Sequence, residues 1–93
     1  MPVWSDRIGI ILASKVEIDD EIYQIVKCES GWDNSARGKA GEIGLAQFMP
    51  QTWEWMSKLA GFQGDIRNAD DQLKLLKWGL ANGYEKHWTC FGK

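Results

Sequence analysis

Residues 18–31 read Ile-Asp-Asp-Glu-Ile-Tyr-Gln-Ile-Val-Lys-Cys-Glu-Ser-Gly, and this stretch decides the fold. Ile18, Ile22, Ile25 and Val26 recur at i, i+4, i+7 and i+8, the stripe of one helix face. Asp19, Asp20 and Glu21 open the helix, where acidic side chains suit its positive end, and Gly31 stops it. Glu29 lies four residues past Ile25 and seven past Ile22, so it projects from the same face at the helix's end. Desolvation and the partial negative charge of a helix C-terminus both raise a carboxyl's pKa there, which keeps the proton a general acid needs. Position alone also fits a solvated cap or half of a salt bridge.

Outward from this helix the punctuation is clear. A first helix is expected from about Ser5 to Ser14, capped by Ser5 or Asp6, with Trp4, Ile8, Ile11 and Leu12 on one stripe. Residues 15–18 are a short connection. Residues 32–48, with Gly38, Gly41 and Gly44 three apart, form the least helical stretch and read as a structured loop with room for a small hairpin. Pro50 suits the first turn of a third helix ending near Gly61. Asn68 can cap a fourth, with Asp70 and Asp71 in its first turn and Leu73, Leu76, Leu80 and Tyr84 on its buried face. Gly83 is the expected stop. No segment alternates with period two, so the fold class is all-α, or α+β at most if the loop makes a hairpin.

The 93 residues suffice for one domain, residues 1–93, with a single modest core. Net charge is −2 with no basic stripe, which argues against a nucleic-acid partner. The longest aliphatic run, Ile8 to Ala13, falls far short of the roughly 20 apolar residues that cross a bilayer. Met1-Pro2-Val3-Trp4-Ser5-Asp6 lacks the basic start of a secretory signal, so a mature or excised domain, or another export route, is expected. The six tryptophans fit either a sugar-stacking groove or a core built from large side chains. Cys28 and Cys90 either pair or remain two free buried thiols. Pairing would close a loop worth on the order of 4 kcal/mol in the chain-entropy model and would point to an oxidising compartment. No histidine or third cysteine lies near enough in sequence to suggest zinc, and no metal or cofactor is expected.

Two segments carry chemistry together: Glu29-Ser30-Gly31-Trp32, then Gly44-Leu45-Ala46-Gln47-Phe48-Met49-Pro50 with Thr52-Trp53. In order and spacing, residues 8–53 resemble the lysozyme-like soluble lytic transglycosylases. Members of that family carry a helix-ending Glu-Ser-Gly-aromatic followed by Gly-Leu-x-Gln-apolar-Met-Pro-x-Thr. The Cys28-Glu29 pair and the closing Trp88-Thr89-Cys90 are also similar to the resuscitation-promoting factor branch of the superfamily. In that branch a cysteine beside the catalytic glutamate is bridged to one near the domain's end.

The resemblance implies a compact lysozyme-like fold and cleavage of the β-1,4 bond between N-acetylmuramic acid and N-acetylglucosamine in peptidoglycan. It implies Glu29 as the sole catalytic carboxylate, first acid and then base. In a lytic transglycosylase the sugar's own 6-hydroxyl then closes a 1,6-anhydro ring. Ser30 and Gln47 match substrate-holding residues, with Gly44, Leu45 and Phe48 beside them. A neutral amide such as Gln47 adds no charge that would pull the acid's pKa down. Gly38 and Gly41 read as plain turn residues.

Two departures from the family pattern stand out. The Ala-Tyr-Asn-Ala-Gly segment of the family is replaced by Leu80-Ala81-Asn82-Gly83-Tyr84, so Tyr84 either substitutes for the family tyrosine or is a core residue. The chain is also shorter than most members. A hydrolase would need a second carboxylate or a positioned water, and Asp33 and Glu42 are the candidates, each otherwise a solvated loop charge. The alternatives to a lytic transglycosylase are therefore a muramidase and a peptidoglycan-binding module without turnover. Trp32 and Trp53 are expected to pack around the catalytic helix. His87 reads as structural, the Lys74–Lys77 pair as a solvated face, and Arg37 and Lys39 as surface charges able to meet peptide carboxylates. A monomer acting outside the cytoplasm, in periplasm, cell wall or medium, or encoded by a phage, completes the expectation.

Overall fold

The structure is a computed structural model that describes residues 9–12 and 14–92. Residues 9–12 are helical, while Trp4 and Ile8 of the expected first stripe lie outside the described residues. Leu12 does not join that stripe: it is 80% exposed, whereas Ile10 and Ile11 pack against the core. Ser14 has already left the helix, its hydroxyl accepting from the Val16 N–H at 3.1 Å.

Three longer helices follow. Helix α1 spans Asp20–Ser30. Asp19 caps it by accepting from the Ile22 N–H at 2.8 Å, and Gly31 ends it at φ 65° with its N–H on the carbonyls of Val26 and Lys27. Helix α2 spans Pro50–Ala60, with proline in its first turn and Gly61 closing it in the left-handed region. Helix α3 spans Ala69–Ala81, where the Asn68 side chain accepts from the Asp71 N–H at 3.0 Å. A single 3-10 turn, Glu85–His87, lies in the closing segment. No helix among the described residues is long and apolar enough to cross a membrane.

Helix α3 packs on both α1 and α2, and that position widens its buried arc. Gln72, Leu73, Leu75, Leu76 and Gly79 are buried, while Leu80 and Tyr84 of the expected face are only half-buried. A helix gripped on one side shows a narrow stripe; one gripped on two sides hides residues that a single stripe omits. Gly79 has a specific reason to lack a side chain. A Cβ there would meet Cη2 of Trp88 at 2.7 Å, so the bare backbone lets the indole lie on the helix. Trp88 is buried, its indole N–H donates to the Ala46 carbonyl at 3.0 Å, and its ring meets Phe48 edge-on at 5.5 Å.

Residues 32–48 form a folded loop with two isolated antiparallel bridges, Arg37 to Ile43 and Ile43 to Phe48, and no longer strand. The chain is thus all-α with one irregular loop, as expected of a lysozyme-like fold. One hydrophobic core joins α1, the loop, α2, α3 and Trp88. Of the tryptophans, Trp32, Trp53 and Trp88 belong to this core, and Trp55 and Trp78 lie half-buried against it.

Cys28 and Cys90 are joined by a disulfide across 62 residues, with Cα atoms 5.9 Å apart. Closing a loop of this length stabilises by about 4 kcal/mol in the chain-entropy model. Each kcal/mol moves the melting temperature of such a domain by about 4–8 °C. Replacing both cysteines by serine should therefore lower the melting temperature by roughly 15–30 °C in the absence of reductant. Calorimetry checks this, and an unchanged midpoint would remove the bridge from the stability account.

Candidate active site

Glu29 sits in the last turn of α1, where the Ile22–Ile25–Val26 face reaches its end, and is half-buried. One of its carboxylate oxygens, Oε2, accepts from the Cys90 N–H at 3.3 Å. The carboxylate opens on a cleft of about 210 Å³ lined also by Glu42, Gln47, Phe48, Met49, Thr52, His87, Trp88 and Thr89. Four stretches of chain meet there: the end of α1, the loop, the first turn of α2 and the closing segment.

The loop is held to the cleft by a residue the sequence pattern did not expose. Gln72 of α3 is fully buried. Its Oε1 accepts from the Ala46 N–H at 2.8 Å, and its Nε2 donates to the carbonyls of Ile43 and Ile66, both at 2.7 Å. Gly44 adopts φ 81°, and a Cβ there would run into the Gln72 amide. Here glycine serves the backbone turn and the close approach of Gln72 at once.

Gln47 also takes a positive φ, 53°, a conformation that a residue with a Cβ holds only when its surroundings enforce it. Its own side chain helps to do so: Nε2 donates to the Gly44 carbonyl at 2.8 Å and to the Ala36 carbonyl at 3.3 Å. The amide N–H groups are therefore engaged in the loop, which leaves Oε1 as the atom Gln47 offers to a ligand.

Glu42 is half-buried at the cleft, and its Oε1 accepts from the Ala40 N–H at 2.9 Å. Its carboxyl lies over Gly38, where a Cβ would collide with it. Asp33 does not line the cleft. Its Oδ1 accepts from the Ser35 N–H at 2.9 Å and the Ser35 hydroxyl at 2.6 Å, a turn-building role.

Glu29, Gln47, Phe48 and Glu42 are thus brought together. Ser30, Gly44, Leu45 and Tyr84 stand outside the cleft lining. The Ser30 hydroxyl donates back to the Val26 carbonyl at 3.2 Å, and Leu45 is buried in the core. Tyr84 stacks on Trp78 at 5.6 Å and meets Trp55 at 5.5 Å. Trp32 is buried, with its indole N–H on the Tyr23 carbonyl at 3.3 Å, and Trp53 packs edge-on against Phe48 at 5.0 Å.

His87 and Thr89 are exposed cleft residues that sequence reasoning had not placed there. The signal that could have found them was their adjacency to Cys90, since bridging Cys90 to Cys28 carries its neighbours to Glu29.

Searches of the curated proteins and of the solved structures returned no match to this chain. The family comparison did: residues 12–86 match the transglycosylase SLT domain. That span holds Glu29, the loop and α2 and α3, and it ends before Trp88, Thr89 and Cys90. Covering 75 of the 93 residues (86 − 12 + 1), the match shows that the chain belongs to the transglycosylase SLT domain family.

Proposed function

We propose that this chain cleaves peptidoglycan glycan strands at the β-1,4 bond between N-acetylmuramic acid and N-acetylglucosamine, with Glu29 as the acid and then the base. The observation that carries this reading is the placement of the Glu29 carboxylate. It stands at the end of a buried helix face and in a cleft shared with Gln47. Family membership supports the reaction class.

In this mechanism Glu29 protonates the leaving glycosidic oxygen and then takes the proton of the sugar's 6-hydroxyl, which attacks the anomeric carbon to close a 1,6-anhydro ring. No water is consumed. Gln47 Oε1, the free end of that amide, accepts from a sugar hydroxyl or N-acetyl N–H and holds the ring against Phe48 and Trp88. The proposed setting is extracytoplasmic or phage-borne, acting on cell wall, as a single domain and a monomer. The disulfide fits an oxidising compartment.

Glu42 supports the second reading, a muramidase. It is a second carboxylate in the same cleft, and no cation pairs with it among the described residues. A hydrolase would use such a group to orient water. The two readings predict different sugar ends, and Glu42→Gln sorts them. Transglycosylation should survive that substitution within about tenfold, whereas hydrolysis should lose the 10²–10⁴-fold or so that a general base supplies.

The primary test is the release of soluble fragments from purified, protein-free peptidoglycan by the oxidised chain. Release is the expected result. Sedimentation with the wall and no release would establish a binding module instead.

A further inference from the structure

The tryptophan content fitted either a sugar-stacking groove or a core of large side chains, and the structure divides the described tryptophans between the two. Trp32, Trp53 and Trp88 are 3–8% exposed and belong to the core, whereas Trp55 and Trp78 are only half-buried against it. The second group is not scattered. Trp78 of α3 stacks on Tyr84 at 5.6 Å with ring planes 17° apart. Trp55 of α2 meets Tyr84 at 5.5 Å and His87 at 5.2 Å, and Tyr84 and His87 are 6.1 Å apart. These four rings form one strip across α3, the closing segment and α2. Tyr84 is half-buried like the two tryptophans, and His87 is exposed.

The strip begins at the cleft, because His87 belongs to both. That continuity says what covers it. A cleft of about 210 Å³ is smaller than the roughly 300–1,000 Å³ that encloses a drug-sized ligand. A polymeric strand seated beside Glu29 must therefore continue over neighbouring surface. The strip offers apolar ring faces with polar edges at the Tyr84 hydroxyl and the His87 imidazole. A pyranose presents the complementary pattern, with C–H groups on its faces and hydroxyls at its rim. Aromatic strips also take the bases of single-stranded nucleic acid, but such sites combine the rings with a positively charged groove. Here the adjoining cleft carries the carboxyl groups of Glu29 and Glu42, and the net charge is −2. An uncharged sugar face fits that field and a phosphate polymer does not.

We propose that Trp55, Trp78, Tyr84 and His87 form a second sugar-binding subsite, on which an N-acetylhexosamine unit of the same glycan strand stacks outside the cleft. The proposal rests on the reading of the cleft as a glycan site and holds whichever group moves the proton. The strip lies beyond the reacting centre, so its contacts act equally on the bound ground state and the transition state. They lower KM and leave kcat unchanged.

The first test compares the oxidised wild type with Trp55→Leu on soluble, uncrosslinked glycan strands. Trp55 touches both His87 and Tyr84, and leucine keeps an apolar side chain against the core. Circular dichroism establishes that the variant is native at the assay temperature. KM should rise by about three- to tenfold, the factor of one lost stacking contact, with kcat within about twofold. A ring with a structural role alone would reduce the number of active molecules, and so the apparent kcat, at unchanged KM.

The second test leaves the strip intact. The indole N–H signals of isotope-labelled Glu29→Gln are followed by NMR as the same strands are added, with Trp55→Phe and Trp78→Phe providing the assignments. The Trp55 and Trp78 signals should move. A folded Trp55→Leu with the wild-type KM overturns the proposal, as do Trp55 and Trp78 signals that stay in place while the strands bind. Signals moved by oligothymidylate and not by glycan overturn it in favour of a nucleic-acid surface. If the strands do not bind at all, the glycan reading of the cleft falls and the subsite falls with it. If Glu29→Gln cleaves at the wild-type rate, the assignment of the acid falls instead, and the KM of Trp55→Leu decides the subsite.

Discussion

Glu29→Gln should lower the rate of glycan cleavage by about 10²–10⁴-fold or more, the range that a positioned general acid and base contributes. The substitution is close to isosteric. Glutamine keeps an oxygen that can still accept from the Cys90 N–H, so the contact at 3.3 Å and the tail's approach to α1 survive. What is lost is the transferable proton. Sedimentation onto insoluble peptidoglycan should be retained, and the melting temperature should move by only a few degrees. Lost activity with retained binding isolates chemistry from folding. Wild-type activity in this variant would remove Glu29 from the mechanism.

Gln72→Leu is expected to be the most damaging change away from the cleft. Leucine fits the space approximately but leaves the Ala46 N–H and the Ile66 carbonyl without the partner they have in Gln72, while the Ile43 carbonyl keeps only the Phe48 N–H. Each of the two orphaned groups costs about 1–3 kcal/mol, so a total of about 2–6 kcal/mol is expected. That is a large share of the roughly 5–15 kcal/mol that holds a domain of this kind together. The loop would lose its attachment to α3, and Gln47 and Phe48 would lose their places in the cleft. Denaturant melts should show the loss, and cleavage should fail with it. A variant destabilised by less than about 1 kcal/mol would show that the loop is held by other means.

The contrast between these two residues shows what the sequence can carry. Glu29 was legible because its position follows from local rules: a period of 3.6 from Ile22 to Val26, an acidic cap, and a glycine stop. Both ends of α2 and the start of α3 were legible for the same reason, through Pro50, Gly61 and Asn68, while α3 ends at Ala81, short of the expected stop at Gly83. Gln72 was not. A glutamine beside Asp71 in the first turn of a helix reads as solvated, and only a loop 26 to 29 residues earlier makes it a buried linchpin. Leu75, set between Lys74 and Leu76, is hidden because α3 is gripped from two sides.

The cleft shows the same division. Gln47 could be placed near Glu29 by resemblance, but its positive φ and the turning of its amide into the loop are tertiary outcomes. His87 and Thr89 reach the cleft because Trp88 docks on Gly79 and the bridge pulls Cys90 to α1. No local signal at residues 87–89 encodes that. Tyr84, read from sequence as either a substitute for the family tyrosine or a core residue, packs with Trp55 and Trp78.

The central claim, lytic cleavage by a single glutamate, is tested most directly by mass spectrometry of purified peptidoglycan digested with wild type and with Glu29→Gln. Fragments lighter by one water, bearing 1,6-anhydro ends and absent from the Glu29→Gln digest, are the predicted result. Reducing ends in the wild-type digest would contradict it and move the chemistry to water held by Glu42.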